Sequence, residues 1–324
     1  MIFSKKRSDG NLVTDGDPLQ HITPYLMRTR NESVIYYKRT LPLEPLQRYI
    51  VAQRKKGVRI TVFNVIVAAL LQVLYLRPRI NRFIAGRRIY EHKKYEILYA
   101  VKQTLSDDAI ESIAKVPLDK DDTIFDISKK MRQHTYDLKK GNLKTDDKLI
   151  RLFVKAPRWL IRMVAGLLRF LDFHGLMPKS LIDALPFYSS IFLSHLGSIG
   201  AEATFHHLYE FGTNSVFITI GRAYQHPFKT EDGGVEWRRA IDLCFSIDER
   251  ICDGFYLIRS LKLFDQFMIN PELLEIPPSE REIGSAFLDV AQVRTEAFFV
   301  KGAGAEFRRG KEDNEGDSDD DTDD

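Results

Sequence analysis

The sequence predicts an α/β fold, and three segments carry that prediction. Apolar and polar residues alternate from Ile241 to Asp248, which is typical of a strand with one packed face. After Asp253, apolar residues return every three or four positions, which predicts an amphipathic helix whose first turn Asp253 is suited to cap. Between positions 62 and 74 apolar residues occur on all sides of the predicted helix, so we expect that helix to be buried.

The same patterns place further elements along the chain. Residues 42–76 are predicted to form two helices around a turn at 55–57, and Arg77-Pro78 ends the second. A third helix is predicted over 123–139. Strands are predicted at 34–38, 83–88, 95–102 and 215–221.

Composition excludes several classes of protein. The chain has 324 residues, of which 44% are hydrophobic and 29% charged, so it can bury a core and is neither wholly disordered nor a fibrous repeat. Two cysteines cannot supply a disulfide framework and fit a reducing compartment. The longest uncharged runs, 60–76 and 184–201, contain polar residues, prolines or glycines and do not predict a membrane span. We therefore expect a soluble cytoplasmic protein.

The charge is divided unevenly along the chain. Residues 311–324 carry nine acidic side chains and one lysine, although the whole chain has a net charge of +3, so the remainder is basic. We predict a polar N-terminal arm over 1–24, one domain over 25–300 and a disordered acidic tail over 301–324. Nucleic acid is not an expected partner, because the tail would repel phosphate and the basic residues match no nucleic-acid-binding module.

The junction between the last strand and the last helix carries a motif. Residues 248–254 read Asp-Glu-Arg-Ile-Cys-Asp-Gly. The motif resembles the Asp-His-Arg-x-x-Asp-Gly signature of the chloramphenicol acetyltransferase-like superfamily, which includes the acyltransferase core of 2-oxoacid dehydrogenase complexes. Asp248, Arg250, Asp253 and Gly254 match. Residues 192–200 resemble the family segment Thr-Ile-Ser-Asn-Leu-Gly, and residues 77–83 resemble its Pro-x-Leu-Asn turn.

This resemblance covers about residues 25–275 and implies a mixed sheet flanked by helices, in a homotrimer. In the resembling enzymes a histidine takes the proton from the thiol of coenzyme A or from the acceptor, a serine stabilises the oxyanion, and the active site lies between subunits. Carried over by position, Ser194 would be the oxyanion donor. Asp253 would be structural, and Arg30 is its expected partner at the turn that Gly254 completes. Coenzyme A or an acyl-CoA would be the substrate, and we expect neither a metal nor a lipoyl domain in this chain.

The motif departs from the family at the histidine position, which is Glu249. An ordinary glutamate has a pKa about 2 units below that of histidine, equivalent to about 3 kcal/mol less proton affinity. A carboxylate is therefore the poorer base towards a thiol. Two alternatives follow: a stand-alone acyltransferase that uses Glu249 as its base, or a non-catalytic descendant that serves as a trimeric scaffold or binds acyl-CoA or lipid.

Other candidate groups have plainer interpretations. His195 is expected to be a packing or subunit-contact residue, and the pair at 206–207 to lie in a polar loop. Cys244 and Cys252 have no CxxC partner and are expected to be packing residues.

A basic and apolar helical insert is predicted near 148–185. Its cations fall along one stripe of a helix, at Arg151, Lys155, Arg158, Arg162 and Arg169. Pro157 is expected to kink or restart that helix. The insert is predicted either to pack on the core or a neighbouring subunit, or to form a platform. A platform would contact an anionic membrane, an acyl chain, the phosphates of coenzyme A or an acidic carrier protein.

Overall fold

The computed structural model describes residues 6–102, 111–139 and 156–280. Its strands form two sheets. The strands are β1 (Gly10–Leu12), β2 (Val34–Pro42), β3 (Arg82–Ala85), β4 (Arg88–His92), β5 (Tyr95–Lys102), β6 (Glu111–Leu118), β7 (Ile191–His195), β8 (Val216–Ile220), β9 (Tyr224–Lys229) and β10 (Val235–Asp248).

The larger sheet has seven strands in the order β2-β10-β8-β7-β5-β6, and β9 pairs with the first half of β10. Strand β7 runs parallel to both of its neighbours, and the other pairs are antiparallel. The smaller sheet has the order β1-β4-β3. The α/β class and the mixed sheet predicted from the sequence are thus confirmed.

The helices of the described residues are α1 (Pro18–Leu26), α2 (Glu44–Lys55), α3 (Val62–Leu76), α4 (Ile124–Lys139), α5 (Arg158–Phe173), α6 (Lys179–Ala184) and α7 (Gly254–Ile269). Helices α2, α3, α4 and α7 share one large core with the larger sheet. Helix α3 is buried along most of its length, as predicted, and a capping box between Thr61 and Asn64 starts it. No helix of the described residues is long and apolar enough to cross a membrane.

The opposite face of the larger sheet carries a smaller cluster. Leu98, Phe192, Leu208 and Phe217 form it, and the residues that lead into β8 pack on it. The ring of His206 stacks on Phe217 with centroids 4.0 Å apart. Residues 206–207 therefore belong partly to this aromatic cluster, where the sequence predicted a polar loop.

One predicted strand is a hairpin. Residues 83–88 were expected to be continuous, but β3 ends at Ala85 and β4 begins at Arg88. Gly86 and Arg87 turn the chain between them with φ of 55° and 60°. Glycine adopts this left-handed backbone readily, which allows the chain to turn between Ala85 and Arg88.

The N-terminal segment differs from the polar arm predicted over 1–24. From residue 6 onward it is folded, because β1 pairs with β4 and α1 begins at Pro18 with Asp17 as its cap. Arg7 is buried and donates to Asp9 at 2.9 Å and to the carbonyl of Asp172 at 2.8 Å. Paired polar groups can be buried at modest cost, so polar composition alone gave the wrong expectation.

The predicted insert contains α5 and α6, and its residues 148–155 lie outside the described residues. The predicted acidic tail also lies outside them. The boundary predicted between residues 24 and 25 falls within α1.

Candidate active site

The junction between β10 and α7 is a short, well-anchored turn. A single 3-10 turn, Glu249–Ile251, separates the two elements. The Glu249 N–H donates to the carbonyl of Ser33 at 3.0 Å. Asp253 caps α7, as predicted, because its Oδ1 accepts from the Tyr256 N–H at 2.8 Å. Gly254 is then the first residue of the helix.

A buried ion pair fixes the start of this turn. Arg250 donates from Nε to Asp248 Oδ1 at 2.8 Å and from Nη2 to Oδ2 at 2.7 Å. A third donor, Nη1, reaches the carbonyl of Met27 at 2.9 Å. The Asp248 side chain is fully buried and that of Arg250 is 3% exposed. These two motif residues therefore hold the backbone that presents residue 249.

Glu249 itself is exposed. No ion pair joins its carboxylate to another residue in the described ranges. The neighbouring Cys252 is buried, and burial raises the pKa of its thiol to about 12, which keeps it protonated. Cys252 and Cys244 are both packing residues, as expected. The group that this junction offers to chemistry is thus the free carboxylate of Glu249.

Ser194 lies near the end of β7 and is half-buried. In the sheet register it lies opposite Thr219 of β8, which in turn lies opposite Cys244 of β10. The next residue, His195, stacks its ring on Phe63 of α3 at a centroid distance of 5.4 Å. Burial lowers the pKa of His195. His195 is exposed and contacts Phe63, so the packing or subunit-contact role predicted for it stays a prediction.

The sheet register separates Ser194 from Glu249 within one chain. Ser194 is two strands away from Cys244, and Glu249 follows Cys244 by five positions, directly after the end of β10. With about 4.8 Å between strands and about 3.4 Å per residue, the backbones of Ser194 and Glu249 are about 19 Å apart. Two short side chains cannot reach one carbonyl group across that distance. A single chain thus presents two separate halves of the predicted site.

The predicted pairing of Arg30 with Asp253 is wrong. Arg30 is buried and donates to four carbonyl oxygens, those of Ile84, Tyr209, Glu210 and Gly212. Arg30 lies close to the Asp248–Arg250 pair. The strand that begins four residues after Arg30, at residue 34, pairs with β10 so that residue 34 is opposite Asp248. Burial lowers the pKa of Arg30, and the charge of Asp248 opposes that lowering.

Asp253 has a different cationic neighbour. Arg79 Nη1 lies 3.5 Å from its Oδ2, and the pair is exposed. The Tyr256 hydroxyl accepts from the Arg79 N–H at 3.2 Å, and the Arg77 guanidinium lies 3.6 Å from the centre of the Tyr256 ring. Residues 77–83, which resemble the family's turn after the long helix, therefore pack against the start of α7.

An arginine-lined cleft lies near the junction, and the sequence did not predict it. Its volume is about 420 Å³, and it opens between the end of α1, the turn at Gly86 and the end of α5. Five arginines line it, namely Arg28, Arg30, Arg87, Arg169 and Arg250. They come from four separate segments, so nothing in the sequence indicated that they line one cleft, although Arg30 and Arg250 were singled out with the motif and Arg169 with the basic stripe. Within the described ranges, no group of His, Cys, Asp and Glu side chains is placed to hold a metal ion.

Comparison with known proteins establishes the fold. No protein-family model matches the chain, and no curated protein matches it in sequence. A probable dihydrolipoamide acetyltransferase from Listeria monocytogenes superposes with a TM-score of 0.52 at 15% identity, covering 85% of this chain and 98% of that one.

Two further structures are similar. The Azotobacter vinelandii dihydrolipoamide acetyltransferase, studied for the role of a serine, a histidine and an asparagine in its catalytic mechanism, has a TM-score of 0.53 at 15% identity. The cubic core of a pyruvate dehydrogenase multienzyme complex has a TM-score of 0.53 at 14% identity. Each comparison covers 81% of this chain and 94% of the other. The chain therefore has the mixed α/β fold of these dihydrolipoamide acetyltransferase structures and of the pyruvate dehydrogenase complex core.

Proposed function

We propose that the protein is a coenzyme A-dependent acyltransferase whose active site is shared between two copies of the chain. Glu249 of one copy is the base, and Ser194 of the next donates to the oxyanion. The observation that carries the proposal is the junction itself. The Asp248–Arg250 pair and the Asp253 cap hold a turn whose one free functional group in the described residues is the exposed carboxylate of Glu249.

The chemistry is a direct transfer. The acceptor, a thiol or hydroxyl, gives its proton to Glu249 as its sulfur or oxygen attacks the acyl carbonyl of a thioester. The Ser194 hydroxyl donates a hydrogen bond to the oxyanion that forms. The intermediate then expels the coenzyme A thiolate, which takes the proton back from Glu249. No covalent acyl-enzyme and no metal enter this sequence.

The separation of the two residues supports an oligomer. About 19 Å lies between their backbones in one chain, so they can act together only across an interface between copies. An interface would also remove water from around a carboxylate, which favours its protonated form and makes it a stronger base. The similar structure from the cubic core of a pyruvate dehydrogenase multienzyme complex is a precedent for self-assembly of this fold. We propose a homotrimer in the cytoplasm, with closed symmetry that repeats the site at each interface.

The test is release of coenzyme A from short- and long-chain acyl-CoA donors, with a pool of cell metabolites as acceptors. Glu249→Gln removes the base and is expected to lower the rate about 10²–10⁴-fold. Ser194→Ala removes the oxyanion donor and is expected to lower it about 10²–10³-fold. Glu231→Gln, at another exposed glutamate, is the matched control and should leave the rate unchanged. The proposal fails if no donor is consumed, or if Glu249→Gln has the wild-type rate.

A second candidate is a non-catalytic acyl-CoA-binding or scaffold protein. It is favoured by one observation, the glutamate at the position where the resembling enzymes have histidine. In that case the protein would bind acyl-CoA without releasing coenzyme A. Glu249→Gln would then leave the dissociation constant for acyl-CoA unchanged, as measured by calorimetry.

A further inference from the structure

Helix α5 carries an apolar face that the rest of the described chain leaves exposed. None of its residues is buried. Its half-buried side, which includes Leu160, Val164 and Leu168, faces the molecule, and Leu168 packs on the cluster around Tyr188. Four of the large apolar residues that α5 exposes lie along another side, Trp159 (65%), Met163 (56%), Leu167 (53%) and Phe170 (49%). Their spacing of four, four and three places them on one stripe of the helix.

Helix α1 has a similar face. Leu19, Ile22 and Leu26 follow one another at steps of three and four, and each is more than half exposed. Tyr25 is also exposed, and the Arg87 guanidinium lies 5.7 Å from its ring centre. The C-terminal ends of α1 and α5 both line the arginine-lined cleft. Two exposed apolar helix faces therefore border one basic opening.

Cations accompany these apolar faces. Arg158, Arg162 and Arg169 lie on one side of α5 at steps of four and seven, beside the apolar stripe. Arg28 and Arg87 add two exposed guanidinium groups at the cleft. Among the described residues, no carboxylate forms an ion pair with any of these five side chains.

The acidic residues of the cleft are already engaged. Asp172 Oδ1 accepts from Arg7 Nη2 at 2.9 Å. Glu210 accepts from the N–H groups of Arg30 and Asn31 at 3.1 and 3.0 Å. The exposed guanidinium groups thus form no ion pair within the described residues, and the charge that complements this surface is negative.

We propose that α1 and α5 together dock the protein on an anionic lipid bilayer. The apolar residues would enter the boundary between headgroups and acyl chains, while the arginines contact lipid phosphates. A helix with Trp, Phe and Leu on one side and arginines beside them is the pattern of helices that lie in this interface. A two-fold contact of this face with the same face of a second copy is disfavoured, because it would bring arginines against arginines. The proposal goes beyond the acyltransferase activity and does not depend on it.

The direct test follows Trp159 in the full-length protein. The chain has two tryptophans, so Trp237→Phe leaves Trp159 as the sole indole. Its fluorescence emission is expected to shift to shorter wavelength on adding vesicles of phosphatidylglycerol and phosphatidylcholine, and not with phosphatidylcholine alone. Vesicle co-sedimentation gives the affinity, which should fall as salt rises. Binding to neither vesicle, or equal binding to both, overturns the proposal.

Matched variants separate the surface from general charge and hydrophobicity. Changing Arg158, Arg162 and Arg169 together to Gln should weaken binding about fivefold per arginine, or about 100-fold in total. The same change at Arg54, Lys55 and Lys56, exposed at the end of α2, removes equal charge and should have a small effect. Equal weakening by both sets would contradict a defined docking surface.

A third set tests the apolar stripe. Changing Trp159, Met163 and Phe170 to Ser should abolish co-sedimentation, whereas Val235→Ser with Trp237→Ser, at equally exposed positions, should not. If the stripe variant binds vesicles normally but loses its oligomeric state in sedimentation velocity, the face is a subunit contact and the proposal is wrong. Glu249→Gln should bind vesicles like the wild type. Vesicle binding therefore tests the docking surface even if the protein has no acyltransferase activity.

Discussion

Substitution of Arg250 by Met is expected to be among the most destabilising single changes at the junction. Asp248 is fully buried and accepts from Arg250 Nε at 2.8 Å and Nη2 at 2.7 Å, and both bonds are lost. Removing one partner of a buried ion pair leaves an uncompensated charge and costs about 3–5 kcal/mol. For a chain of this size the fall in Tm is about 4–7 °C. Loss of the bond to the Met27 carbonyl adds to the effect.

A double-mutant cycle measures the coupling directly. Asp248→Leu alone leaves Arg250 buried without its partner, while the double variant removes both charges. The double variant should therefore cost less than the sum of the single variants by at least about 2 kcal/mol. Recovery should be incomplete, because the charge of Asp248 also supports buried Arg30. Urea unfolding followed by circular dichroism at fixed protein concentration gives the values. Additive effects, or a loss below about 1 kcal/mol for Arg250→Met, would refute this account of the turn.

Three further predictions concern other parts of the chain. Burial lowers the pKa of His92 to about 4. Between pH 4 and about 6.5 the unfolded chain therefore binds one more proton than the folded chain. The free energy of unfolding is fully retained above pH 6.5 and falls by about 1.4 kcal/mol per pH unit as the pH is lowered towards 4. His92→Gln should flatten this slope, as measured by urea unfolding at each pH. Gly197→Ala would place its Cβ 2.4 Å from the Gly221 carbonyl oxygen and should lower the free energy of unfolding by about 1–3 kcal/mol. Gly166→Ala is the control, because it lies in open space on α5 and should raise that free energy by up to about 1 kcal/mol. The thiol of Cys252, with its pKa raised to about 12 by burial, should resist iodoacetamide in the folded protein and react on unfolding, as followed by mass spectrometry.

The elements that the sequence predicted well are those with strong local signals. Alternation from Ile241 to Asp248, the apolar residues of α3 and the cap at Asp253 each depend on neighbours in sequence, and the structure has them at those positions. Strand β1 was missed because it has only three residues, and β9 because it contains Pro227 and mixes polar with apolar residues. Strand β4 was not separated from β3 because a single glycine, Gly86, marks the turn between them.

The site was harder to predict because its contacts are long-range. The expected partner of Asp253 was Arg30, but the three-dimensional arrangement gives Arg30 to four backbone carbonyls and brings Arg79 to Asp253. The spacing of residues along the chain identified the motif residues, but it does not indicate which side chains lie nearest to them in the folded protein. The pairing of Asp248 with Arg250 had a weak local signal, since two oppositely charged residues flank position 249.

The most direct test of the shared active site is complementation between two inactive variants. Ser194→Ala and Glu249→Gln chains are co-expressed with different tags, the mixed oligomers are purified, and release of coenzyme A from the preferred acyl-CoA is measured. Each variant alone should be inactive. With random mixing, about a quarter of the interfaces join an intact Ser194 to an intact Glu249, so the mixture should recover about a quarter of the wild-type rate. A mixture no more active than either variant alone would contradict a site built from two copies.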